Sequence, residues 1–383
     1  MKGLKIFFAC FMVLTLVSAS SFGADIKIFP IGALFPMTGP QAYYGRVMSH
    51  GSRIAIDHIN AAGGVEGYKL KLIITDFKNV DVKIAVNGVQ KMTIIDNIPF
   101  LLTSFSAITL GVQPVCAEKH VLMINGGAYS PKLSNKPYLY SIKLSQNQML
   151  PPMLDYFWEM NVRRLGIIYV NNQAGKVPVD TLIKPIWTKK GGVIVALEPH
   201  PPGLTDYTPY LTRIMEGKPD AIYGISTGQD QAYIVKQVRA MGMNIPVTVP
   251  DWNEDFQAIA GKASENVYIP GDYFDRKRSD PSSQRFVKDY EAKWKESPDI
   301  FAANYYDAVY NVLPELIKRV IKNSGDPLNG TELEKAIWTD PSFNTIYGGK
   351  MKFNRDGSSN KPMAIFKLTN GKKIVDKYVT LEP

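Results

Sequence analysis

The sequence predicts an α/β protein of two domains, each a mostly parallel sheet flanked by helices. Three observations carry that expectation. Strand-like and helix-like segments alternate, the signature of parallel strands joined by helical crossovers. The alternation runs once from about residue 26 to 142 and restarts at Arg164. The 383-residue chain, less a leader of 23 residues, also leaves 360, more than one hydrophobic core usually holds.

The leader comes first. Lys2 and Lys5 form a positive start, and Ile6 to Val17 is almost wholly apolar. Ser21 and Gly23 then supply the two small residues a signal peptidase needs, so residues 1–23 read as a cleaved export signal. A retained anchor would need roughly 20 apolar residues, more than this run holds. Cys10 follows only Phe7-Phe8-Ala9, which is too early for lipoprotein processing.

Beyond the leader, Ile26 to Phe35 is an apolar, isoleucine-rich run ended by Pro36 and Gly39, and it reads as a buried strand. Residues 42–61 turn helical, with Ile54, Ala55 and Ile59 on one face, until Gly63-Gly64 stops them. Tyr68 to Thr75 is a strand and Asp81 to Asp96 a helix carrying Val82, Ala85, Val86, Val89 and Met92. Phe100–Ser104 and His120–Asn125 are the next strands, with a helix between them.

In the second block the strands are Leu165–Val170, Val193–Leu197, Ala221–Ile225 and Pro246–Val249. Helices are expected at Val179–Lys190, around Tyr210–Glu216 and at Gln231–Met241. Three more follow, near Gln284–Lys295, Ala302–Lys322 and Thr331–Trp338; Thr331 and Glu334 have capping-box spacing. Strands at Gly349–Phe353, Met363–Thr369 and Val375–Thr380 close the chain, with a turn at Asp356-Gly357. Ligands of open parallel sheets sit beyond the carboxyl ends of the strands, so two facing sheets would make one cleft from two sets of loops.

Composition narrows the function. The net charge of +9 falls to +7 once Lys2 and Lys5 leave with the leader, and the remaining basic residues are scattered. That pattern is a solvated surface and argues against nucleic-acid binding. Cys116 is the only thiol after cleavage, in apolar helical surroundings, and reads as buried and inert. The four histidines form no metal-ligand spacing, no Walker sequence is present, and no metal or cofactor is implied.

One motif resembles catalytic equipment. Gly224-Ile225-Ser226-Thr227-Gly228 matches GxSxG at a strand-to-helix junction, but no histidine follows His200, so a nucleophile elbow would lack its base. Asp251 with Glu254 or Asp255 could be glycosidase acids, although a solvated helix start accounts for them. No enzyme is expected.

Longer runs are more specific. Gly32 to Pro40, Gly45, and Ala55-Ile56-Asp57-His58-Ile59-Asn60-Ala61-Ala62-Gly63-Gly64-Val65 resemble the branched-chain amino-acid-binding proteins of ABC importers. The likeness continues in order through Asp76, Asp206 to Pro209, Lys218-Pro219-Asp220, Arg239 to Gly242 and Phe353 to Gly357. It implies a type I periplasmic-binding fold with three crossovers between lobes, near 142–146, 271–275 and 349–352. The first lobe would hold 24–143 and 273–350, the second 144–272 and 351–383.

The resemblance also implies a periplasmic monomer that hands a small solute to an inner-membrane permease with cytoplasmic ATPases. Carried over residue by residue, Ser106 resembles the serine that receives the ligand carboxylate, and Asp251 the acid that pairs with its ammonium. Gly126-Gly127-Ala128 would offer a backbone carbonyl, Tyr44 is the first-loop aromatic, and Ser226-Thr227-Gly228 faces the cleft.

The departures are specific. Tyr129 stands where a threonine usually completes the carboxylate site, while Ala174 and Thr227 replace aromatics of the second lobe. With Trp252 beside Asp251, that exchange favours a flat or aromatic solute with an amine or another donor. Two alternatives are a sensory receptor of the same fold and a secreted hydrolase using Ser226. A leader without a DNA-binding segment or second membrane span weighs against the sensor.

Overall fold

The computed structural model describes residues 27–381, so the signal-peptide reading on 1–23 falls outside them. The first sheet contains β1 (Lys27–Phe35), β2 (Tyr68–Asp76), β3 (Phe100–Thr103), β4 (Leu122–Asn125) and β5 (Leu139–Ser141). Their order is β2-β1-β3-β4-β5, every pair parallel. Ile31, Ala33, Leu34 and Phe35 are all fully buried, as a strand covered by helices on both faces requires.

The second sheet starts with β6 (Arg164–Val170), β7 (Val193–His200), β8 (Ala221–Ile225), β9 (Val247–Thr248) and β10 (Val267–Asp272). A small antiparallel sheet follows from β11 (Ser342–Asn344), β12 (Lys350–Phe353) and β13 (Ser359–Asn360). The hairpin of β14 (Met363–Thr369) and β15 (Lys372–Val379) then adds to the second sheet, giving β15-β14-β10-β9-β8-β6-β7. Among the described residues no helix is long and apolar enough to cross a membrane.

Two glycines show how tightly the first lobe is set. The helix Ala42–Ala61 ends where Gly64 N–H reaches Ile59 O at 2.9 Å, a six-to-one capping bond. Gly64 has φ +94°, and a Cβ there would lie 2.2 Å from Tyr68 O. On the same helix a Cβ at Gly51 would lie 2.1 Å from Ala302 O, so this side-chain-free position lets the helix Ile300–Asp307 dock at close range. Cys116 is fully buried, and burial pushes its thiol up to about 12.

Several expectations need correction. The sequence leaves 142–164 without an element, yet Gln146–Glu159 is a helix despite Pro151 and Pro152. Gln148 Oε1 accepts from Ser145 N–H at 3.0 Å and starts it. The helix expected from Val179 begins at Gln173, because Asn172 caps it by accepting from Ala174 N–H. Asn329, not Thr331, caps the helix Gly330–Ile337. Glu334 instead accepts from Tyr138 N–H at 3.0 Å and ties that helix to β5's approach.

The third crossing lies at Lys361-Pro362 instead of 349–352. β12 pairs with β11 and β13, and Ser141 N–H donates to Gly357 O at 2.7 Å, which keeps the small sheet on the first lobe.

The three crossings share one buried charge cluster. Lys143 lies in the first, Asp272 opens the second and Lys361 lies in the third; their exposures are 4%, 1% and 6%. Lys361 Nζ is 2.7 Å from Asp272 Oδ1, and Lys143 Nζ pairs with Oδ2. Burial alone would raise the Asp272 carboxyl, but the two ammoniums reverse this and hold it at about 2. Lys361 also donates to Asn304, whose Nδ2 reaches Gly126 O at 2.9 Å in the loop after β4. The crossings are thus hydrogen-bonded to the loop after β4.

Candidate functional site

Loops beyond the carboxyl ends of β1 and β9, one from each sheet, meet at Tyr44 and Asp251, on either side of the proposed cleft. From the first lobe, the turn after β1 delivers Tyr43 and Tyr44 into the first turn of the helix Ala42–Ala61. Tyr44 is buried edge-on against Phe105 (5.6 Å) and Phe301 (5.1 Å). Its hydroxyl crosses the cleft and donates to Asp251 Oδ2 at 2.8 Å. The Tyr43 hydroxyl donates to Asp299 Oδ2 at 3.0 Å.

After β3 the backbone turns sharply. Phe105 has φ +59°, a strained value for a bulky side chain, and its ring is held edge-on between Tyr44 and Phe77. Ser106, half-buried, then opens the helix Ser106–Glu118, and its Oγ accepts from Ser130 N–H at 3.2 Å. After β4, Asn125 organises the loop. Its Oδ1 accepts from the N–H groups of Gly127 (3.1 Å) and Ala128 (2.7 Å), and its Nδ2 donates to Ala128 O. The Ala128 carbonyl is thereby occupied, and that of Gly126 accepts from Asn304 Nδ2. Among the described residues no donor reaches that of Gly127.

Tyr129 leaves this loop toward the second lobe, where it packs on Leu144, Met149 and Met363. From that lobe, Thr227 is half-buried after β8, and Asp251 and Trp252 follow β9. Gln231 clamps Asp251 twice: Nε2 donates to Oδ1 at 2.6 Å, and Oε1 accepts from Asp251 N–H at 3.1 Å. Burial raises the Asp251 carboxyl above its usual range, and the Gln231 and Tyr44 donors oppose that rise only in part. Trp252 is turned to its own lobe, with Nε1 donating to Gln257 Oε1 at 3.1 Å. Ala174 N–H is spent on Asn172, and the small side chain leaves that corner without bulk.

So the structure brings Tyr44 and Asp251 into contact and sets Tyr129 near them; the Asp251 charge adds to burial in raising the Tyr129 hydroxyl. Ser106, Gly127 and Ala128 lie on adjoining loops of the first lobe. Sequence reasoning missed Gln231, Asp299, Phe105 and Phe301. Gln231 and Asp251 are 20 residues apart, and only the fold makes them neighbours.

The GxSxG reading needs a correction too, since a histidine does reach the serine, from upstream. His200 Nε2 lies 2.6 Å from Ser226 Oγ, and His200 Nδ1 lies 2.8 Å from Pro201 O. Nδ1–H donates to the carbonyl, which leaves Nε2 to accept from the serine hydroxyl. Both side chains are fully buried, and burial lowers the imidazole pKa. The pair joins the ends of β7 and β8 beneath Thr227. Among the described residues no group of three His, Cys, Asp or Glu side chains could hold a metal.

The profile of the periplasmic binding protein family matches residues 29–373. The leucine-specific-binding protein of Salmonella typhimurium is 27% identical over 305 residues, covering 77% of this chain and 80% of the relative. A leucine-binding protein of Thermotoga maritima superposes with a TM-score of 0.82 at 21% identity, over 92% of this chain and 99% of the other. A solute-binding protein of R. palustris, solved with benzoate, has a TM-score of 0.80 at 21% identity, over 93% and 98%. Both structures share the two-lobed fold.

Proposed function

Because this chain belongs to the periplasmic binding protein family, we propose that it is the solute-binding component of an ABC importer. It captures a small amino acid or related carboxylate, aromatic acids included, in the interlobe cleft and delivers it to an inner-membrane permease with cytoplasmic ATPases. The observation that carries this reading is the Tyr44–Asp251 bond, which puts one polar partner from each lobe at a single point. A solute lodged there touches both lobes and is therefore bound best by the closed form.

Ser106 receives the carboxylate, Asp251 an ammonium or other donor, and Gly127 offers its carbonyl. Tyr44, Tyr129 and Thr227 contact the body of the solute, while Ala128 and Trp252 shape the walls. The curated relative is named for leucine and one structural neighbour holds benzoate. Both are small carboxylic acids, which supports the class. We place 27–141 and 281–360 in the first lobe, and 146–272 and 363–381 in the second. The protein is exported through its leader, works as a monomer and binds without turnover.

A thermal-shift screen of the mature protein against amino acids, aromatic acids and their amides tests the class. An acid held at 100 times its Kd stabilises the folded form by about 2.7 kcal/mol. One or a few carboxylic acids raise the melting temperature, and their amides do not. A screen in which amides shift the protein as strongly as acids contradicts the proposal.

A further inference from the structure

Behind Tyr129 lies a cavity of about 10 Å³, roughly the space of one oxygen atom and its contacts. Gln146 and Met149 of the helix Gln146–Glu159 line one side, and Tyr223, Ile225 and Val249 at the strand ends line the other. It adjoins the cleft: Tyr129 belongs to both, Ile225 precedes Ser226-Thr227, and Pro250, also in the wall, precedes Asp251. The lining is mostly apolar. Yet two of its lining residues, Gln146 and Tyr223, each only 2% exposed, carry a buried polar atom, Gln146 Oε1 and the Tyr223 hydroxyl, that has no partner among the described residues.

Buried polar groups are normally hydrogen-bonded, so two orphans on one small cavity point to something that satisfies both. Burial keeps the Tyr223 hydroxyl protonated, so it is available as a donor. The Gln146 carbonyl oxygen is an acceptor. A group that donates to one and accepts from the other is a hydroxyl, and a hydroxyl serves equally if the amide is turned over.

We propose that this cavity is a subsite for a terminal hydroxyl of the solute, donating to Gln146 and accepting from Tyr223. The inference rests on the reading that a carboxylic acid occupies the cleft, and it narrows that class to hydroxy acids whose hydroxyl lies remote from the carboxylate. The body of the solute then lies along Tyr129, with its acid group toward Ser106.

The test compares matched acids on the full mature protein by titration calorimetry: benzoate with 4-hydroxybenzoate, and phenylalanine with tyrosine. In at least one pair the hydroxylated member binds tenfold or more tightly. Gln146→Leu and Tyr223→Phe, checked for native melting, each bring that ratio to about one. Tyr223→Phe removes a single oxygen, so it reports even if Gln146→Leu does not fold. Equal affinities within a pair, as a resident water alone would give, overturn the subsite but leave the carboxylate reading standing. A preference that survives in both variants also overturns it. Failure of all four acids to bind, with aliphatic amino acids binding instead, contradicts the hydroxyl subsite and spares the importer reading.

Discussion

Among the described residues, no counter-ion lies at contact distance from Asp251. Its oxygens meet two neutral donors, Gln231 and Tyr44, while Lys143 and Lys373 act on it only at longer range. A buried carboxylate in that condition favours a solute that brings its own cation or donor. Asp307 is a residue-scale contrast. It is fully buried, accepts from Ile346 N–H at 3.1 Å and is pushed up by burial to about 6. Its folded pKa exceeds the unfolded one, near 3.9, so its contribution is complete below about pH 4 and lost as pH rises through 6. Asp307→Asn imitates the protonated form. The variant should match the wild type at pH 4 and gain roughly 1–3 kcal/mol above pH 6. Melting temperatures across that range check this; a difference that does not vary with pH contradicts it. The resemblance of Pro250-Asp251 to a known loop singled out Asp251 in the sequence. Nothing singled out Gln231 or Asp307, because Asp251 lies 20 residues from the first and Ile346 lies 39 from the second.

At the scale of elements, strands and helices with a strong period were legible to within a residue or two. The helix Ala42–Ala61 is one, since its apolar face and its glycine stop agree. Elements with mixed signals were not. Pro151 and Pro152 remove two backbone donors inside the helix Gln146–Glu159, and packing of its Met153, Leu154 and Phe157, all fully buried, outweighs that loss. The third crossing was misplaced because β12 looks like a core strand, yet its partners are the short strands β11 and β13. The Lys143–Asp272–Lys361 cluster joins residues from all three crossings and was invisible to any window along the chain. Asp272→Ala leaves two buried ammoniums without their carboxylate and should cost about 3–5 kcal/mol. Lys176→Ala, at an exposed pair with Asp180, leaves the unfolding midpoint unmoved. Urea unfolding of the two variants checks both; equal midpoints would mean that the cluster does not hold the hinge.

For the whole molecule, the alternation of strand and helix foretold two parallel sheets, and the family profile and the two superposed structures carry the same architecture. The cleft chemistry was legible only in outline. Ala174 and Thr227 leave the second lobe small there, while Tyr129 of the first packs across the divide on Met149 and Met363. The lobes meet through Tyr44 and Asp251, and the proposed binding mode has the solute displace or share that bond. Titration calorimetry of the acid that most raises the melting temperature, into wild type and Asp251→Ala, tests this account most directly. Loss of a charge-assisted bond of about 1.5–3 kcal/mol predicts one site per chain and an affinity at least tenfold weaker in the variant. Affinities within twofold of each other would contradict it, because the solute would then be held without the acid that joins the lobes.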